Sequence, residues 1–226
     1  MTRLLERFAH IAIEGPIGVG KSSLARKLGA HLGADLLLER ADENPFLERF
    51  YRDPRAYAFQ TQLFFLFQRA NQMQELAQPG MFSRGVVSDF IFAKDALFAR
   101  MNLDDEEYRL YAQIHQQMSQ GLAQPDVIVC LQAQPSTLIA RIRQRGIAME
   151  QQVSEAYLTR LCDAYVEHFR SHEGAPVLMV VTEDFNPVDR AEDFTLLLDR
   201  LARFEGPRGV LDPSTGSALG SDADPG

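Results

Sequence analysis

The run Gly15-Pro16-Ile17-Gly18-Val19-Gly20-Lys21-Ser22 constrains this chain more than any other, because it matches the spacing G-x-x-x-x-G-K-[ST]. The residues before it, Ala-His-Ile-Ala-Ile-Glu at 9–14, read as a short buried strand, and Lys21 to about Leu32 reads as a helix. Strand, glycine turn and helix are the setting this pattern needs. Glycines let backbone N–H groups close around a polyphosphate at a helix N-terminus, the lysine reaches the β and γ phosphates, and the serine hydroxyl holds Mg²⁺. Gly15, Gly18, Gly20, Lys21, Ser22 and Ser23 are therefore the candidate ATP-binding residues, with Ser22 also a candidate metal ligand. Such a site does not say whether the γ phosphate goes to water, to a small molecule or nowhere.

The rest of the chain alternates in the same way. Leu36 to Leu38, Val86 to Asp89, Val127 to Leu131 and Val177 to Val181 read as strands, separated by helical stretches near 46–51, 55–78, 93–100, 106–120, 135–145 and 154–172, with a last helix over 189–204. This order predicts an α/β fold, a doubly wound sheet of about five parallel strands flanked by helices. Between 59 and 77 the apolar positions Phe59, Leu63, Leu66, Ala70, Met73 and Ala77 form one helix face, and Phe64 and Phe67 widen it. A helix so broadly apolar is buried on two sides, inside the domain or against a second copy. Residues 1–205 are expected to form one domain, and the Gly-, Pro- and Ser-rich stretch 206–226 a disordered tail.

Composition narrows the function classes. The 226 residues are 46% hydrophobic, enough for a real core without disulfides or a structural metal. Cys130 and Cys162 lie in apolar surroundings without zinc or redox spacing, and the five histidines show no ligand pattern. No apolar run approaches the roughly 20 residues of a membrane span, and the amino terminus does not read as a signal peptide, so a cytoplasmic protein is expected. A net charge of −8 argues against a nucleic-acid binder, which needs a clustered basic surface. Lysine occurs only at 21, 27 and 94.

Candidate groups for the acceptor side follow from strand ends. Glu39 ends the second apolar run, where a doubly wound sheet presents groups to ligand, and a carboxylate there could take a hydroxyl proton. It could equally be one charge in the solvated turn Glu39-Arg40-Ala41-Asp42-Glu43, with Asp42 and Glu43 as rivals. Asp89 ends the third strand, placed either to orient Mg²⁺ or to cap a helix. Arg141, Arg143 and Arg145 cluster before Gly146, where guanidinium groups could fold over a transferring phosphoryl group or simply face solvent.

Taken in order, Gly-Pro-Ile-Gly-Val-Gly-Lys-Ser-Ser-Leu-Ala, Leu-Leu-Leu-Glu-Arg-Ala-Asp-Glu-Asn-Pro-Phe-Leu, Ala-Phe-Gln-Thr-Gln-Leu-Phe-Phe-Leu, Pro125-Asp126-Val-Ile-Val-Cys-Leu-Gln-Ala and Arg141-Ile-Arg-Gln-Arg-Gly resemble the deoxynucleoside kinase family, nearest its bacterial deoxyadenosine and deoxyguanosine kinases. The resemblance spans about 9–200. It implies a P-loop NTPase-type fold with an arginine lid carrying Arg141 and Arg145, a homodimer built on long helices, and small-molecule partners, a deoxynucleoside and ATP with Mg²⁺. It implies that Glu39 is the general base for the nucleoside 5′-hydroxyl. It further implies that Gln60 and Asp95 recognise the base and that Tyr51 and Glu150 hold the sugar 3′-hydroxyl. The chain departs from the family at one place: acid-Arg-Ser commonly follows the third strand, and here the sequence is Asp89-Phe90-Ile91. Lys94, Arg84 and a lid arginine are the candidates for the missing positive charge.

The expected reaction is transfer of the γ phosphoryl group of Mg·ATP to the 5′-hydroxyl of a purine-leaning deoxynucleoside, with deoxycytidine also open. The alternatives are a nucleoside monophosphate kinase, which needs acceptor-facing arginines and no base, and a catalytically weak nucleotide-binding subunit. A GTPase would need an Asn-Lys-x-Asp segment, and the sequence has none.

Overall fold

The computed structural model describes residues 3–76 and 85–215. Its strands are β1 (His10–Glu14), β2 (Asp35–Leu37), β3 (Val86–Ser88), β4 (Val127–Gln132), β5 (Val177–Val181) and β6 (Arg208–Leu211). Its helices are α1 (Arg3–Arg7), α2 (Lys21–Leu32), α3 (Leu47–Arg52), α4 (Pro54–Leu76), α5 (Lys94–Asn102), α6 (Asp105–Met118), α7 (Pro135–Arg145), α8 (Glu155–Arg170) and α9 (Ala191–Ala202). All strands pair in parallel, in the order β2-β3-β1-β4-β5-β6. This is the expected α/β P-loop architecture with one more strand than the five read from sequence.

The extra strand corrects the expectation for the carboxyl-terminal segment. Residues 208–211 pair in register with β5, Val177 opposite Arg208 and Val180 opposite Leu211, so the first part of the stretch read as a tail belongs to the sheet. An edge strand needs one ladder and one anchored side chain, and Leu211 is fully buried. The remainder, 216–226, lies outside the described residues, as do Arg84 and the last positions of the long helix read over 55–78.

Every residue of β1 is buried, and so are the first five of β4, as expected for central strands covered on both faces. After β1 the chain runs to β2 and β3 on one side of it and then crosses to β4 on the other, so the carboxyl end of β1 opens onto a crevice. The main core packs α2, α7, α8 and α9 on β1, β4 and β5. A second cluster joins α4, α5 and α6 to β2 and β3 through Leu66, Met73, Phe90 and Tyr111. A third, with Leu47, Phe50, Ala58 and Phe65, fixes α3 against α4.

Candidate active site

The turn after β1 needs its glycines. Gly15 has φ +140°, and a Cβ there would lie 2.4 Å from the Leu131 carbonyl oxygen of β4. Gly18 has φ +85°, and its Cβ would meet Ile142 Cγ1 at 2.8 Å. Gly20 is the last residue before α2, whose first turn carries Lys21, Ser22 and Ser23. Lys21 Nζ donates to Pro16 O at 3.1 Å. Burial and the neighbouring Lys94 lower its pKa, while Glu14, Glu39 and Asp89 oppose that.

Two cavities meet at this turn. One, of about 350 Å³, is lined by Lys21, Ser22, Glu39, Tyr51, Gln62 and Glu150 among others. The other, of about 280 Å³, runs along Gly18, Gly20, Ser23, Arg141 and the segment from Thr182 to Asp189. Gly18 and Arg145 border both. A site with two compartments joined at a phosphate-binding turn can hold a donor and an acceptor at once.

Glu39 follows β2 and lines the first cavity, and its rival Asp42 lines the same cavity. Arg69 Nε donates to Glu39 Oε1 at 2.7 Å and Arg69 Nη2 bonds the same oxygen, while Lys94 Nζ donates to Oε2 at 3.3 Å. Burial favours the neutral acid, but Arg69 and then Lys94 outweigh it and hold the Glu39 carboxyl down at about 2. Asp89 ties the strand ends together. Its Oδ1 accepts from Glu39 N at 2.7 Å, and its Oδ2 accepts from the Ser22 hydroxyl.

The oxygen donors present fit Mg²⁺. Ser22 and Asp89 already touch at the entrance of α2, and Mg²⁺ suits one or two protein oxygens completed by water and phosphate. Among the described residues no three His, Cys, Asp or Glu side chains gather into a metal cage.

Other expected residues are rearranged. Gln60 is exposed on the solvent side of α4, and Gln62 lines the cavity in its place. Two residues along an α-helix turn the side chain through about 200°, so both glutamines cannot face one ligand. Asp95 is fully buried behind Arg69, which donates to its Oδ1, and it does not line the cavity. Burial raises the Asp95 carboxyl to about 6 against the pull of Arg69 and Lys94. Tyr51 and Glu150 do share the cavity, and burial, Tyr157 and Glu150 keep the Tyr51 hydroxyl protonated. Arg145 pairs with Glu150, whereas Arg141 donates to Thr182 Oγ1 at 3.1 Å and Thr182 O at 2.6 Å beside the second cavity. Arg143 is exposed.

Besides Gln62, two further groups escaped the sequence reading. Arg69 stands on the otherwise apolar face of α4 near Phe65, Leu66 and Met73, and a lone charge at such a position is the signal that could have found it. Glu14 closes an otherwise largely apolar strand and is itself fully buried. Its Oε2 accepts from Gly15 N and Tyr165 Oη, each at 2.9 Å, and its Oε1 accepts from Ile91 N at 2.9 Å.

A family model described as deoxynucleoside kinase matches residues 11–204. The chain belongs to the deoxynucleoside kinase family. It is 35% identical over 182 residues to a deoxyadenosine kinase of Dictyostelium discoideum, covering 78% of this chain and 73% of that protein. To a deoxyguanosine kinase of Bacillus subtilis strain 168 it is 32% identical over 79% of this chain and 87% of the relative. A solved deoxyadenosine kinase from M. mycoides, with products dCMP and a flexible dCDP bound, superposes with a TM-score of 0.70 at 25% identity, covering 85% of this chain and 97% of that one. The same enzyme with bound dATP gives a TM-score of 0.73 at 24% identity, covering 85% and 98%. This deoxynucleoside kinase is thus a transferase with a P-loop NTPase fold. Among the described residues no helix is long and apolar enough to cross a membrane.

Proposed function

We propose that the chain transfers the γ phosphoryl group of Mg·ATP to the 5′-hydroxyl of a deoxynucleoside, deoxyadenosine or deoxyguanosine ahead of deoxycytidine, in cytoplasmic nucleotide salvage. The observation that carries this reading is the Glu39 carboxylate facing the same cavity as Lys21, at the junction with a second cavity. A phosphate acceptor would need no such base, which favours an alcohol acceptor over a nucleoside monophosphate. The purine preference draws on relatives named deoxyadenosine and deoxyguanosine kinase, and one named deoxyadenosine/deoxycytidine kinase keeps cytosine within range.

In this mechanism ATP lies along Gly15–Ser23 with its base in the cavity beside Arg141, and the nucleoside occupies the cavity of Glu39. Mg²⁺ held at Ser22 and Asp89 would offset phosphate charge. Gln62 takes the base-recognition role first given to Gln60, and Asp95 acts through Arg69. Tyr51 and Glu150 hold the 3′-hydroxyl. Glu39 Oε1 is taken by Arg69, so Oε2 receives the proton of the 5′-hydroxyl. A carboxylate titrating near 2 is a weak base, so the proton leaves as the new P–O bond forms, in keeping with a loose phosphoryl transition state. Lys21 and Arg145 stabilise the migrating charge, and Arg141 orders the nucleotide side.

We also propose that a second copy of the chain covers part of α4 and α6, two helices that touch, since Phe67 on the first and Leu110 on the second remain about half exposed.

The test is turnover of ATP by purified protein with each deoxynucleoside and each deoxynucleoside monophosphate, with Lys21→Ala as blank. Phosphorylation of a purine deoxynucleoside is the expected result. Turnover confined to monophosphates would transfer the acceptor role from Glu39 to the arginines, and ATP binding without any turnover would leave a nucleotide-binding subunit.

A further inference from the structure

The family's usual arginine after the strand-end acid is replaced by Phe90, and the structure shows that position 90 cannot serve the cavity. Phe90 is 0% exposed and packs into the cluster of Leu66, Met73 and Tyr111. Four residues on, α5 begins at Lys94, whose side chain is 3% exposed and lines the cavity. Its Nζ lies 3.1 Å from Glu39 Oε1, 3.3 Å from Oε2 and 3.7 Å from Glu14 Oε1.

Burying an ammonium group is costly unless its partners need it. Glu14 does not, because two backbone N–H groups and the Tyr165 hydroxyl already bond its two oxygens. Glu39 Oε1 does not, because Arg69 donates to it twice. Glu39 Oε2 is different: among the described residues its hydrogen bond comes from Lys94. That ammonium carries three donors, one bonding Glu39 Oε2 and another side facing Oε1, so at least one donor remains for a ligand in the cavity it lines.

We propose that Lys94 is a catalytic residue that binds the acceptor oxygen beside Glu39 Oε2 and offsets the charge developing there, in place of the absent arginine. The inference rests on the function proposed above. In the step, the 5′ O–H bond breaks and its proton goes to Glu39. The oxygen's electron pair forms the bond to the γ phosphorus, and the bond from that phosphorus to the bridging oxygen breaks with its electrons leaving on ADP. Lys94 takes no part in the proton transfer and acts as a hydrogen-bond donor throughout. Arg84, the other candidate outside the lid, lies beyond the described residues, and Arg145 is engaged with Glu150.

The deciding variant is Lys94→Met, which keeps length and volume and removes the charge. The expected kcat is lower by about 10²- to 10³-fold, the usual effect of losing one transition-state donor. ATP affinity, measured by direct binding, should change less than about threefold. Lys94→Arg should recover at least about a tenth of the wild-type rate, because the guanidinium restores a fixed donor at the same place. If Lys94→Met does not bind ATP, the double variant Glu14→Gln/Lys94→Met removes a buried carboxylate as well and is read in the same way.

Normal ATP binding with kcat within about threefold of wild type would overturn the proposal, as would a Lys94→Arg variant no faster than Lys94→Met. Failure of both variants to bind ATP would also overturn it, by making the lysine a structural requirement. Wild-type protein inactive on every deoxynucleoside would instead sink the acceptor assignment itself, before any lysine variant is measured.

Discussion

Glu39 sits between two cations, Arg69 on one oxygen and Lys94 on both, and its chemistry follows from that. Glu39→Gln keeps the shape and removes the proton acceptor, so kcat should fall by roughly 10²- to 10⁴-fold while ATP still binds, as single-turnover and binding assays would report. The pH dependence has a definite sign. The folded-state value near 2 lies below the ordinary 4.5, so the ionised form is favoured in the folded protein and is the active one. Its contribution to stability is present above 4.5 and is lost as pH falls toward 2. The kcat profile of wild-type protein should therefore show no acid limb with an apparent pKa of about 4 to 5. A limb there that vanishes in Glu39→Gln would mean that the carboxylate titrates as an ordinary one, without its cations.

At the scale of elements, α4 carries both the success and the failure of sequence reading. Its apolar spacing located the helix, because periodicity survives any context, and burial of Leu66, Ala70 and Met73 confirms that face. The polar residues that enter the cavity were not legible in the same way. Gln60 and Gln62 differ by about 200° around the axis, and the choice between them depends on where α3 and β2 stand. Arg69 was overlooked because its partners, Glu39 and Asp95, come from two other elements. The P-loop was fully legible, since strand, turn and helix are contiguous in the chain. A pair of variants separates the two glutamines. Gln62→Ala should raise the deoxynucleoside KM about tenfold, in line with the roughly 1–3 kcal/mol cost of an unpaired polar group, and Gln60→Ala should leave it within about twofold. Equal effects of the two would mean that α4 turns a different face to the nucleoside.

At the scale of the molecule, the same sheet that places the site also sets what the chain can lose. The exposed Phe67 and Leu110 belong to helices far along the chain from the P-loop, so Phe67→Glu should turn a dimer into a monomer in sedimentation equilibrium without abolishing ATP binding. The opposite edge of the sheet gives a sharper test. Composition marks 206–226 as unable to order itself, yet β6 needs little of its own, because β5 supplies the ladder and Leu211 enters a core already built. Phe204 is buried beside it, and a Cβ on Gly209 would lie 2.7 Å from the Phe204 ring, so glycine at that point allows the strand to close on α9. Ending the chain after Glu205 removes the ladder and a fully buried leucine, whose burial alone is worth about 1.5–3 kcal/mol. For a chain of this size that corresponds to a fall in Tm of about 3–12 °C, read by calorimetry. Ending it after Thr215 keeps β6 and should shift Tm by less than about 2 °C. If the two truncations melted together, at the full-length temperature, β6 would contribute nothing to the fold and the whole of 206–226 would be the tail its composition suggests.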